Sequence, residues 1–263
     1  MSNELRTVLH ARLLGSLVVT LNGALVDTSS SKRTRQVLAY LLLHRRATIP
    51  RDVLMDTFWP DATPEAARNN LHVALSGVRQ ALRAAAPAPV LQRRHDTYRL
   101  AADLTWVDVE ELRRCSAEGR RADQAGDLAT VVRSYAAADQ LYEGDLLADD
   151  LYVGWVSSER ESLRLEVQHA QRRLTELYAA RGDHAGAVMM ARRALAFDPY
   201  HEAVHRQLML AFRDVGQLHL ALAQYQRCAD LLWEAFRVLP SPQTVQLNEQ
   251  LRRHQPVAVS SDL

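Results

Sequence analysis

Thr63-Pro64-Glu65-Ala66-Ala67-Arg68-Asn69-Asn70-Leu71-His72-Val73-Ala74-Leu75-Ser76-Gly77-Val78-Arg79-Gln80-Ala81-Leu82-Arg83 is the stretch on which the reading of this chain turns. Thr63 is a helix N-cap, Pro64 suits a first helical position whose N–H lacks a partner in any case, and Glu65 places negative charge in the first turn. The helix is expected over Thr63 to Ala85, with Pro87 ending it. At 100° per residue and with Asn69 at zero, Ala67, Leu71, Ala74, Leu75, Val78 and Leu82 fall between about 140° and 240°, which makes them the buried face. Asn69, His72, Val73, Ser76, Gln80 and Arg83 lie opposite, with Arg68 and Arg79 on one flank. No acidic residue stands between Ala66 and Ala86, so a polyanion can approach this face without Coulomb repulsion. Its side chains also suit base edges: arginine donates in pairs to guanine, asparagine and glutamine match adenine, and Val73 matches a thymine methyl. The alternative is a polar surface helix, although such helices more often alternate acids with bases.

The flanking sequence extends this pattern. Residues 5–27 read as short strands around Asn22-Gly23, a hairpin-turn dipeptide, with Leu17–Leu21 on one side and Ala24–Val26 on the other. A charged stretch followed by Leu13–Leu21 also has the look of a short signal core, but the hairpin explains the segment better. A helix from about Ser31 to His44 buries Val37, Leu38, Leu41 and Leu42, with Ser29 to Ser31 as cap candidates, and a second runs from about Arg51 to Phe58. After the third helix, Val90–Leu100 holds two strand-forming runs around a polar tip. Strands, three helices and a closing hairpin, in that order, are the layout of a winged helix-turn-helix. Lys32, Arg33 and Arg35 at the start of the first helix are candidates for holding phosphate, and Arg93, Arg94 and His95 at the hairpin tip are candidates for a wing against a minor groove or backbone. Taken singly, each group reads equally as a solvated charge run or an exposed turn.

The charge distribution agrees. The net charge is only +1, yet residues 1–103 carry 14 Lys and Arg against 8 Asp and Glu, and the remainder 18 against 23, which suggests a polyanion partner for the front part only. Cys115 and Cys228 are too few for a disulfide framework and sit in apolar-periodic stretches, so a reducing, cytoplasmic setting is expected. The longest apolar run, Val37–Leu43, is far too short for a membrane span.

From Val107 onward the pattern is helical and repeats. Gly182 and Gly216 are 34 residues apart, the tetratricopeptide period. Ala187 and Ala221, Ala191 and Tyr225, and Ala194 and Cys228 fall at equal offsets from them, and Pro199 closes a repeat. Gly126, with Val131, Tyr135 and Ala138, opens a weaker third copy, separated from the next by an insertion around Tyr142 to Val156. An irregular helical bundle is the alternative. The fold class expected is mainly α with a small β component: a winged helix-turn-helix over 1–103, a tetratricopeptide-like all-α domain over 104–255 and a flexible tail over 256–263.

One motif points elsewhere. His201-Glu202-Ala203-Val204-His205 has the H-E-x-x-H spacing of a zinc peptidase. It opens a repeat helix, where polar residues are ordinary, and no third ligand is evident, so neither a metal nor any other cofactor is expected. A protein-interaction scaffold without DNA binding is a further alternative, against which the acid-free helix face speaks.

The sequence resembles a small member of the Streptomyces antibiotic regulatory protein family. The resemblance is carried by Lys32–His44, Ala67–Val73 with Ser76 and Arg79, Thr97–Leu100, Tyr142–Leu147, Ala180–Asp183 and Pro240–Pro242, and so spans nearly the whole chain. It implies a winged helix followed by a so-called bacterial transcriptional activator domain, an activator that binds direct repeats in double-stranded promoter DNA and contacts RNA polymerase, and control of a secondary-metabolite gene cluster. Carried onto this chain, the polymerase-facing element is the loop Trp59, Pro60, Asp61 and Ala62. Three positions depart from the family pattern: Thr97 replaces a glycine in the wing, Arg237 replaces a glycine before Pro240-Ser241-Pro242, and Gly77 costs the third helix about 1 kcal/mol of propensity if exposed. One winged helix makes few base contacts, so two protomers are expected to share a site on DNA.

Overall fold

The computed structural model describes residues 9–28, 31–83, 90–101, 105–150 and 153–253. Ser29 and Ser30 as caps, the third helix beyond Arg83 with its stop at Pro87, the limit at 103/104 and the tail over 256–263 lie outside the described residues. The chain divides into two compact units. One runs to Arg114 and takes in Gln140–Leu163, and the other comprises Cys115–Asp139 and the chain from Arg164.

The first unit begins with β1 (Leu9–Arg12), β2 (Val18–Leu21) and β3 (Ala24–Leu25), which join β7 (Thr105–Val107) in a sheet of order β3-β2-β1-β7. Asn22 and Gly23 both have positive φ, 51° and 85°, as a two-residue hairpin turn demands. β7 runs parallel to β1, and no local sequence pattern announces it. The residue after β7 explains the pairing: the Asp108 carboxylate accepts the backbone N–H groups of Leu13, Leu14 and Val109, each at 2.8 Å. Burial pushes this carboxyl above its ordinary value, against the pull of those three bonds.

Three helices follow the first sheet: α1 (Lys32–Leu43), α2 (Arg51–Phe58) and α3 (Pro64–Arg83). Ser31 caps α1, its Oγ accepting from the Thr34 N–H at 3.0 Å. Between α1 and α2 lies β4 (Ile49–Pro50), which pairs with β6 (Thr97–Leu100) of the closing hairpin, and β6 pairs with β5 (Leu91–Arg94). Val37, Leu38, Leu41, Leu42, Leu54, Phe58, Leu71 and Leu75 are almost wholly buried and form the core of the three helices. Gly77 is not an exposed helix defect. A methyl there would come within 2.9 Å of the Thr34 Cγ2 and Oγ1 atoms, and Thr34 is buried and held by the Ser31 hydroxyl at 2.8 Å. The glycine lets α1 approach α3. Gly77→Ala should therefore lower stability, because overpacking of about 1–3 kcal/mol exceeds the ~1 kcal/mol of helix propensity gained. A urea midpoint that rises in this variant would refute the close-approach account.

The insertion between repeat copies belongs to this same unit. Leu147 N–H donates to the Leu13 carbonyl at 2.8 Å, and Gly15 N–H donates to the Asp145 carbonyl at 3.0 Å. Trp155 meets the rings of Tyr40 and Phe58 edge-on, at 5.0 and 5.8 Å between centroids.

The second unit is built from helices. The chain passes through α4 (Asp108–Gln124), α5 (Leu128–Leu141), α6 (Ser157–Ala180), α7 (His184–Phe197), α8 (Glu202–Asp214), α9 (Leu218–Phe236) and α10 (Pro242–Arg253). Gly126, Gly182 and Gly216 turn between paired helices with nearly equal φ of 75°, 77° and 77°, a conformation that glycine adopts without steric cost. Val131, Ala187 and Ala221, at equal offsets from those glycines, are fully buried. One core joins Ala122, Tyr135, Leu174 and Met190, and a second joins Ala191, Leu208, Phe212 and Leu251. Neighbouring pairs thus bury each other's apolar faces, as stacked tetratricopeptide-like repeats do. Among the described residues, no helix is long and apolar enough to cross a membrane.

Candidate nucleic-acid interface

α3 starts as its sequence dictates, with Thr63 Oγ1 accepting the Ala66 N–H at 3.3 Å. Its buried residues are Ala67, Leu71, Ala74, Leu75, Val78 and Leu82, the six expected. Arg68, Asn69, His72, Val73, Ser76, Gln80 and Arg83 are exposed and Arg79 is half-buried; Val73, an apolar side chain, is 69% exposed. Among the described residues, the side chains of Arg68, Asn69, His72, Ser76, Arg79, Gln80 and Arg83 have no hydrogen-bond or ion-pair partner. The face therefore presents unpaired donors and acceptors on a rigid helix.

The hairpin β5–β6 turns at His95, whose φ is +51°. Arg93 Nε donates to the His95 carbonyl at 2.9 Å and Thr97 Oγ1 to the Arg94 carbonyl at 2.7 Å. These bonds shape the tip where the family glycine is missing. The tip also carries an acid, Asp96, and Arg51 neutralises it: Arg51 Nη1 lies 2.9 Å from Asp96 Oδ1, and the Arg51 N–H donates to the Asp96 carbonyl at 2.8 Å. Sequence reading missed Arg51, because its link to the wing depends on the pairing of Ile49-Pro50 with Thr97-Tyr98. It also missed Arg99. That side chain pairs with Gln92 across the strands at 3.1 Å, and together with Arg94, Thr97 and Thr48 it lines a groove of about 570 Å³.

The cations of α1 are placed differently from those of the wing. Lys32 Nζ is 2.9 Å from Asp150 Oδ1, and Arg35 is ion-paired with Asp149. Arg33 lies over the rings of Phe58 and Trp59, 5.9 and 5.5 Å from their centroids, and donates to Gln36 Oε1 at 3.0 Å. All three therefore have partners. Lys32 and Arg33 stand near the C-terminal end of α2, beside Phe58, whereas the wing tip is tied to its N-terminal end through Arg51. The loop Trp59–Ala62 follows at that same C-terminal end, with Trp59 edge-on to Phe58 at 5.9 Å and Pro60 and Asp61 exposed.

The H-E-x-x-H residues are engaged in packing the repeats. Glu202 Oε2 accepts from Ser241 N–H at 2.8 Å, Ser241 Oγ at 2.8 Å and Thr244 Oγ1 at 2.7 Å. His205 is buried. Its Nδ1 accepts from Gln224 Nε2 at 2.6 Å, so its Nε2 carries the proton and donates to the Pro199 carbonyl at 2.8 Å. That leaves no lone pair for a metal. His201 meets Arg172 instead, at 2.9 Å. Both cysteines are buried, and burial pushes the Cys228 thiol up to about 11, which keeps it unreactive.

His44, His169 and His205 are all pushed below the ordinary imidazole value, chiefly by burial. In the unfolded chain they titrate near about pH 6.5. Their folded values are lower, so the stability they contribute is complete above that pH and is lost as pH falls through the folded values. The urea midpoint should be lower at about pH 5.5 than at about pH 7.5, and His205→Gln should shrink the difference. A midpoint that rises on acidification would contradict this.

The profile described as "Bacterial transcriptional activator domain" matches residues 107–252, and that described as "Transcriptional regulatory protein, C terminal" matches residues 27–100. The chain is 30% identical over 258 residues to the regulatory protein DnrI of Streptomyces peucetius, covering 94% of this chain and 93% of that protein. It is 29% identical over 248 residues to the transcriptional regulatory protein EmbR of Mycobacterium bovis, covering 93% of this chain but 63% of EmbR. The solved structure of Mycobacterium tuberculosis EmbR in complex with a low affinity phosphopeptide superimposes with a TM-score of 0.76 at 27% identity, over 95% of this chain and 66% of that one.

Proposed function

This chain belongs to the Streptomyces antibiotic regulatory protein family of transcriptional regulators, which are not enzymes, and from that premise we propose that it activates promoters by laying α3 in the major groove of direct-repeat sites. The observation that carries this reading is the outward face of α3, which is exposed, has no acidic residue beyond Glu65 of the first turn and, among the described residues, has reader side chains without internal partners. Arg68, Asn69, His72, Val73, Ser76, Arg79, Gln80 and Arg83 read base edges. Arg93, Arg94 and His95, with Arg99 beside them, meet the backbone or minor groove. Two protomers share a site, and Trp59–Ala62 contacts RNA polymerase. Likeness to DnrI, a regulatory protein of Streptomyces, supports a secondary-metabolite gene cluster as the target.

Genome-wide footprinting with the purified chain tests the DNA reading. The expected result is protected half-sites in the same orientation, spaced by about 10–10.5 bp or a multiple of it. Protection without any shared motif would overturn it. Run-off transcription with purified polymerase tests activation: Pro60 and Asp61 replaced by glycine should abolish stimulation while leaving the footprint intact.

A further inference from the structure

The acids that hold the α1 cations are not placed by those cations. Leu146–Asp150 is fixed through its backbone: Leu147 and Ala148 N–H donate to the Leu13 and Gly15 carbonyls, both at 2.8 Å, and Arg160 donates to the carbonyls of Leu146 at 2.7 Å and Asp150 at 2.9 Å. The Asp149 and Asp150 carboxylates then meet Arg35 and Lys32, and Gln36 adds a hydrogen bond to Asp150. Burial pushes the Asp150 carboxyl up, but its bonds to Gln36 and Lys32 outweigh this and hold it below the usual range. Lys32 is 75% exposed and Arg35 35%, so these pairs add little stability. Two cations near a helix start, each matched by a rigidly carried anion, form a phosphate-like site that the chain fills from within.

We propose that Asp149 and Asp150 are specificity-determining residues: as resident substitutes for DNA phosphates, they neutralise Lys32 and Arg35 and so keep both cations out of sequence-independent attraction. The inference rests on the DNA-binding reading of α3. Non-specific affinity comes from cations that neutralise phosphates and release counterions, whereas sequence is read at base edges. A cation already paired internally releases no counterion on binding. A random duplex imposes no register, so freed cations on α1 would always find phosphates there, whereas a site that α3 recognises fixes the register by its base contacts. Keeping these two cations silent therefore lowers affinity for random DNA more than for the recognised site and raises the ratio between the two.

The test is a fluorescence-anisotropy titration of the full chain against a random-sequence duplex and against its own footprinted sequence, over a series of KCl concentrations. In Asp149→Asn/Asp150→Asn the slope of log K against log salt for the random duplex should steepen by about 1–2, and the specificity ratio should fall. In Lys32→Gln/Arg35→Gln, made in the otherwise unaltered chain, the slope should not change. If that second variant flattens the slope by about 1–2, the cations already contact phosphate and the proposal is overturned. An unchanged slope in the first variant, with its thermal melt intact, overturns it equally. Should the first variant fail to fold, the second decides alone. An unaltered chain that binds neither duplex at any salt overturns the α3 reading itself, an outcome distinct from binding with one common slope in all variants.

Discussion

Replacing Asn69 or Arg79 by alanine should cost about 1–3 kcal/mol of binding at a single base position and relax the sequence preference there, while Arg94→Ala should weaken binding to all duplexes alike. The physical reason is the difference between the two environments. Asn69 and Arg79 project from a helix whose other face is fixed in a core of Leu71, Leu75 and Val78, all within 1% of full burial, so their geometry toward a base edge is set before DNA arrives. Arg94 stands on the wing hairpin, where its guanidinium would bind phosphate oxygens, which are alike at every base pair. A selection experiment over randomised sites, repeated for each variant, separates the two classes. Uniform loss for both would falsify the division between readers and backbone contacts. Arg33→Ala should likewise weaken binding to all duplexes alike, and because its guanidinium lies over Phe58 and Trp59, its loss should also disturb the adjoining Trp59–Ala62 loop.

The second large effect concerns the repeats. Tyr135→Ala should destabilise the second unit by about 3–5 kcal/mol, because a fully buried aromatic side chain leaves a cavity that a stacked helical pair cannot close. Tyr135 is 0% exposed, and its ring lies directly against Gly119; a methyl added at that glycine would run into the ring carbons. Gly119→Ala should therefore cost about 1–3 kcal/mol in the unaltered chain. In the Tyr135→Ala background the added methyl meets empty space, and the penalty should vanish. Urea unfolding followed by helical circular dichroism gives all four corners of this cycle. Strict additivity would show that the two residues do not share the space the structure assigns them.

The buried and exposed faces of α3, the Asn22-Gly23 turn, the wing hairpin and the repeat glycines were all legible in the chain itself. Each rests on relations among residues a few positions apart or on a fixed period, and 100° of helix rotation or a left-handed turn requires no knowledge of distant contacts. The fate of the charges was not legible in this way. Lys32 and Arg35 look locally like any phosphate-binding pair, and their partners stand 114 residues or more further on, in an insertion that belongs to the first unit.

Other features share that dependence on remote neighbours. By propensity alone Gly77 is a helix defect, whereas beside Thr34 it is a close approach. The polar atoms of H-E-x-x-H, a motif that local sequence already placed in a repeat helix without a third ligand, are occupied by Gln224, Pro199, Ser241 and Thr244. Sequence periodicity determines which way a side chain points, because the backbone helix alone sets that direction. What the side chain meets there is decided only by the tertiary structure, since Coulomb attraction, hydrogen bonding and steric overlap act across space and are blind to separation along the chain.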